Sequence, residues 1–189
     1  MNPRERAGVQ CKMTPMTLSR ITLAAVALGV AAPALAALSV PATVEELARG
    51  SEAVVRGRVV SLASHPSADG RRISTSVEVE ATSVWRGTAP ARVTVVVPGG
   101  TAGRLAQRVA GAPHFTMGEE VVVFLGRIGK AQAYRVTGLA QGKFAVEAQQ
   151  ATPDLSQTSF VGRKAMQAGE RRVEAMPVDE LERRVRAVQ

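Results

Sequence analysis

His65 and His114 are the only imidazoles in the chain, and Cys11 is its only thiol. Acid–base or nucleophilic work needs such groups beside a suitable partner, and neither histidine has one in the sequence. His65 has Asp69 four residues on, but Pro66 and the turn Ala68-Asp69-Gly70 make the intervening stretch a loop tip, without the helical face that would align two metal ligands. His114 follows Pro113 and precedes Phe115, with no serine motif to serve, since Gly-x-Ser-x-Gly occurs nowhere. Gly138-Leu-Ala-Gln-Gly-Lys143 places three residues between its glycines where a phosphate loop has four, and Phe144 stands where a Ser or Thr would hold magnesium. Gly99-Gly100-Thr-Ala-Gly103 also fails the dinucleotide spacing. The pairs Glu45-Glu46 and Glu119-Glu120 are adjacent, so in a strand one carboxylate of each pair faces away from the other. These residues predict a protein with no catalytic set, no metal site and no cofactor.

Binding chemistry is better represented. Residues 98–118 separate two strongly apolar strands by more than most connections in a compact domain, and long loops on a rigid scaffold are where binding groups concentrate. The segment carries Arg104, Arg108 and His114, which are the candidate ligand-binding residues. The two guanidinium forks suit a carboxylate or a phosphate. Residues from about Arg108 to Ala110 could instead form a further short strand, with the arginines still on one rim.

The elements that would position these groups follow from periodicity. Thr43-Val-Glu-Glu46 is a capping box that starts a short helix running to Arg49 and ending at Gly50. From Ala53 the period changes to two, with Val55, Gly57 and Val59 on one side and Gly57 marking a bulge or bend. Ile73, Thr75, Val77, Val79 and Ala81 alternate with Ser74, Ser76, Glu78, Glu80 and Thr82, which describes a strand with one buried and one wet face. Val93, Val95 and Val97 mark a third strand, stopped by Pro98-Gly99-Gly100. The unbroken apolar run Val121 to Leu125 reads as a central strand, and Tyr134 to Leu139 and Lys143 to Glu147 complete the set. The predicted fold is mainly β, a small closed or partly open OB-like barrel of five to six antiparallel strands over residues 37–148, with a short N-terminal helix. Residues 149–176 read as a loop or loosely held segment. Residues 177–189 read as a C-terminal helix opened by Pro177, with Val178, Leu181, Val185 and Val188 as an apolar stripe that docks on the barrel, the alternative being a basic amphipathic helix for a membrane surface or a partner.

Residues 1–36 have the layout of a secretory signal peptide: basic residues through Arg20, an uncharged run from Ile21 to Ala32, and Ala34-Leu35-Ala36 with small residues at −3 and −1, giving cleavage after Ala36. Met13 or Met16 would make a more compact start, so residues 1–12 read as a mis-assigned beginning. The alternative is an uncleaved anchor, against which Pro33 breaks the run. Cleavage would leave no transmembrane span, and it would remove the lone cysteine, so the exported domain must be held by its core without disulfides. Of the formal charge of +8, residues 37–189 keep +5. In a periplasmic or extracellular setting this favours an envelope protein or an anionic surface or glycan as partner. It does not favour nucleic acid, because exposed aromatics do not interleave the basic residues.

Ser51-Glu-Ala-Val-Val-Arg-Gly-Arg-Val-Val60, Val84-Trp-Arg-Gly87, Gly118-Glu-Glu-Val-Val-Val-Phe-Leu125, Tyr134-Arg-Val136 and Gly138 to Phe144 together give an order that resembles small exported bacterial proteins of uncharacterised function. More distantly, it resembles the netrin-like domain of the tissue inhibitors of metalloproteinases, an OB-type five-stranded barrel. Those domains are framed by disulfides and present an N-terminal cysteine to the target metal. The exported part of this chain has no cysteine, so inhibition by metal chelation does not carry over. The expectation is an exported, non-catalytic binding or interaction module. A protease-associated inhibitor or accessory protein and a small hydrolase with a dispersed site stand as the alternatives.

Overall fold

The computed structural model describes residues 37–129, 132–160 and 173–188. The expected leader and cleavage site, residues 1–36, lie outside these, as do residues 161–172. In chain order the elements are β1 (Ala37–Ser39), α1 (Val44–Arg49), β2 (Ala53–Pro66), β3 (Ile73–Arg86), β4 (Arg92–Pro98), β5 (Gly100–Ala102), β6 (Leu105–Gln107), β7 (Glu120–Arg127), β8 (Ala133–Val136), a 3-10 turn (Leu139–Gly142), β9 (Lys143–Glu147), β10 (Gln150–Pro153), β11 (Thr158–Phe160), β12 (Met176–Pro177) and α2 (Val178–Arg186).

Five strands close on themselves in the order β2-β3-β4-β8-β7 and back to β2. This is the small OB-like barrel expected from the alternating valines. Four of the junctions are antiparallel, but β4 and β8 run parallel, with Thr94 opposite Ala133 and Val95 opposite Tyr134. The purely antiparallel expectation fails here because β7 lies between them in the chain. It takes the place beside β2 and leaves β8 to close the gap. Closure removes most of the edge that so much valine would otherwise offer to other chains.

Two apolar layers explain the unbroken run in β7. Val121, Val123 and Leu125 point into the barrel with Val55, Val59, Val77, Val79, Val93 and Val95. Val122 and Phe124 point outward, into a second core with Val54, Trp85, Phe144, Val146 and the helices. A strand covered on both faces has no reason to alternate. The register of β2 shifts at Gly57, where a Cβ would stand 2.3 Å from the Glu80 carbonyl oxygen, so only glycine lets the two strands approach.

The capping box forms as expected: Thr43 Oγ1 accepts from the Glu46 amide at 3.2 Å, and the Glu46 carboxylate accepts from the Thr43 amide at 2.9 Å. Val44, Leu47 and Ala48 of α1 and Val178, Leu181 and Val185 of α2 are buried in the outer core. The C-terminal stripe is therefore spent on the barrel. A bidentate pair ties the two helices together, with Arg184 Nε and Nη2 donating to Glu45 at 2.6 and 2.9 Å. That hydrogen bond holds the Glu45 carboxyl at about 2 against an ordinary 4.5. A carboxylate favoured by folding contributes stability above its unfolded pKa and loses it as pH falls toward the folded value. The α1–α2 contact is thus expected to weaken between pH 4.5 and 2, followed as the acid limb of thermal stability. Glu45→Gln should remove that component, and an unchanged acid limb would contradict the assignment.

Residues 149–176 are not simply loop. Gln150–Pro153 returns antiparallel on β9 through a two-residue connection in which Ala148 and Gln149 both have positive φ, 46° and 62°. Such a hairpin ordinarily asks for Asn-Gly, and its absence hid the turn from the sequence. Thr158–Phe160 pairs with β1 in parallel, and Met176–Pro177 with β10. No described helix is long and apolar enough to cross a membrane.

Candidate functional site

The loop from 98 to 118 divides into two parts with different tasks. Its first part is a hairpin, β5–β6, with Gly103-Arg104 at the tip. No strand forms from Arg108 to Ala110. The hairpin is anchored by backbone and side-chain bonds to the end of the β2–β3 ribbon: the Gly99 amide donates to the Ile73 carbonyl at 2.7 Å, the Ile73 amide to Gln107 Oε1 at 2.6 Å, and Thr75 Oγ1 to the Gly99 carbonyl at 2.7 Å. Gly100 is required at this crossing, since a Cβ there would stand 2.4 Å from Ser64 Oγ at a φ of 130°.

That anchoring brings two basic groups together. Arg72 and Arg108 each lie one residue from the Ile73–Gln107 hydrogen bond, with Arg71 beside the first and Arg104 at the tip of the hairpin. All four are exposed. Among the described residues their side chains have neither an ion pair nor a hydrogen-bond partner. This is unlike most of the other arginines. Arg56, Arg92, Arg127, Arg183, Arg184 and Arg186 face carboxylates, while Arg58 and Arg86 donate to backbone carbonyls. The one acid at this end, Asp69, is engaged by Ser67 Oγ and the Arg71 amide, which hold its carboxyl below the ordinary range. Leu105 and Val109, at 60% and 39% exposure, adjoin the two loop arginines.

The second part of the loop closes the barrel. Phe115 is buried in the inner core, with the Lys143 ammonium 5.4 Å from its ring centroid. Lys143 is itself buried and paired with Glu119, whose other carboxylate oxygen accepts from the Thr116 amide at 3.0 Å. His114 belongs to this region rather than to the arginines. It is exposed and lies close enough to Asp154 to help hold that carboxyl low, behind the larger effects of the Ser156 hydrogen bonds and Lys143. The expected trio thus separates into Arg104 and Arg108 at the basic end and His114 at the closure. Arg71 and Arg72 are the residues that sequence reasoning passed over. Their signal was an adjacent basic pair immediately after a turn glycine.

A concavity of about 440 Å³ lies elsewhere, between the helices, lined by Glu45, Arg49, Arg183, Arg184, Ala187 and Val188. Glu45 already satisfies Arg184 there and Glu180 already faces Arg183, so this is the seam of a helix pair more than an open receptor. The turn Leu139–Gly142 has a structural task. Gln141 Oε1 accepts from the Ala42 amide at 2.9 Å while Nε2 donates to Ser39 Oγ and the Val40 carbonyl at 2.9 and 3.1 Å, which fastens the segment before α1. His65 is exposed at the end of β2, and no group of metal-ligating side chains occurs among the described residues. Compared with protein-family models, with curated proteins and with solved structures, the chain matches none.

Proposed function

We propose that this protein is an exported, non-catalytic binding module that captures an anionic partner at the end of its barrel where the β2–β3 and β5–β6 hairpins meet. The observation that carries the reading is the set of four exposed arginines without partners on one end, whereas eight of the ten other described arginines have a carboxylate or carbonyl partner. Unpaired guanidinium groups raise the local concentration of anions and speed their encounter, and they lose this effect as salt screens them. The signal-like leader supports an envelope or extracellular setting. Nucleic acid fits poorly, because single-strand platforms need exposed aromatic rings, whereas the aromatic side chains described, those of Trp85, Tyr134, Phe115, Phe124 and Phe144, are all buried.

The test is reversal of charge. With Arg71, Arg72, Arg104 and Arg108 changed to Glu, retention on an anionic matrix is expected to disappear at about 50 mM salt while the melting temperature stays within a few degrees, since all four side chains are exposed. Reversal of the exposed Arg49 and Arg135, set against reversal of Arg104 and Arg108 alone, is the control for charge, since none of these four breaks an ion pair. Equal losses in both would reduce the effect to net charge and overturn the assignment of a site.

A further inference from the structure

The hydrogen-bond parity of β2 exposes a second property of the same end. The Ser67 amide donates to the Arg72 carbonyl at 2.7 Å, which makes 67 and 72 a hydrogen-bonded pair in the ribbon. Because such pairs alternate in an antiparallel ladder, His65 and Ala63 also direct their backbone groups at β3, and Leu62 and Ser64 direct theirs away from it. The other edge of β3 agrees, since Ile73 bonds toward Gly99 on the β4 side. On its far side β2 is paired with β7 only from Ala53 to Arg58, and the Val59 amide and carbonyl are taken by Glu119 and Gly118. Beyond that point no described strand pairs with this edge. The amides and carbonyls of Leu62 and Ser64 form a short open ladder bounded by Pro66, which has no amide to offer.

This open ladder adjoins the hairpin with the unpaired arginines, since Gly100 of β5 packs directly on Ser64. Resting on the anion-binding reading above, we propose that the partner is an extended acidic segment of another protein, which adds as a strand to β2 at Leu62 and Ser64 while its carboxylates meet Arg104, Arg108 and their neighbours. Strand addition supplies affinity through main-chain bonds and leaves selectivity to side chains. Exposed Leu105 and Val109 beside the arginines favour a polypeptide, which can place apolar groups between its acids, over a polyphosphate or sulfated glycan, which cannot. A second copy of this chain would bring its own arginines against this set, and the like charges oppose that pairing.

Hydrogen exchange resolved to single amides tests this on the protein expressed from its full coding chain. Without a ligand, the Leu62 and Ser64 amides should exchange faster than those of Ala63 and His65. A (Glu-Thr)5 peptide is expected to bind and slow Leu62 and Ser64 at least tenfold, while inorganic polyphosphate binds without slowing them. If both probes bind and neither slows those two amides, strand addition is wrong and the anionic site stands. Strand addition is equally wrong if only polyphosphate binds. If neither binds, or if the four-arginine reversal leaves peptide binding unchanged, the anionic site itself falls and strand addition falls with it.

Discussion

Replacement of Glu119 by alanine is expected to destabilise the protein by about 3–5 kcal/mol, because it leaves the ammonium of Lys143 inside the closed end of the barrel without its partner. Lys143 has a side chain only 5% exposed and lies over the Phe115 ring, so its ammonium is largely desolvated and depends on the carboxylate for its charge partner. The same change also strips the Thr116 amide of its acceptor and loosens the turn that leads into β7. The comparison that isolates the charge is the double change Glu119→Leu with Lys143→Met, which removes both ions and keeps volume. It should recover most of the stability lost in the single variant, since an apolar pair often replaces a buried ion pair at little cost. Urea unfolding of the three proteins measures this directly. A double variant no more stable than Glu119→Ala would show that shape at this position, and not the unpaired charge, sets the loss.

The second large effect is expected at Phe124. Its ring lies in the outer core, with its centroid 5.9 Å from that of Phe144, and is fully buried. Truncation to alanine should remove about 3–5 kcal/mol through lost transfer energy and an unfilled cavity. At roughly 2–4 °C per kcal/mol for a chain of this size, melting should fall by about 10 °C. Val123, one residue away, faces the inner core and makes a smaller side chain, so Val123→Ala should cost less and should loosen the barrel without loosening the helices. Phe124→Ala is expected to make α2 the preferred site of limited proteolysis, since Leu181 and Val185 belong to the same cluster. Protection of α2 equal to wild type would show that the helix does not depend on the Phe124 ring.

Alternation of small apolar residues with polar ones is a strong signal, and it located β2, β3 and β4 because each has one face toward the barrel. The capping box located α1 for an equally local reason. What escaped detection depended on partners distant in sequence. The parallel junction of β4 with β8 is a property of strand order, and β1 pairs with β11 from the far end of the chain. The turn at Ala148-Gln149 uses residues that ordinarily avoid positive φ, so no local rule marks it. At the candidate site, Arg104 and Arg108 were legible as basic residues in a long loop. Their association with Arg71 and Arg72 was not, because it rests on Gln107 reaching Ile73. His114 was grouped with them by proximity along the chain, whereas it sits beside Phe115, in the part of the loop that closes the barrel.

The two-sided burial of β7 also has a consequence for the order in which the molecule is made. A chain that emerges N-terminus first has all five barrel strands once Val136 is out, but the outer layer of Val54, Val122 and Phe124 is then covered only by α1 and Trp85, and afterwards by Phe144 and Val146, until residues 178 to 185 follow. For that interval the nascent protein carries a partly covered apolar flank. The nine-residue helix α2 ends that interval by covering the rest of the flank.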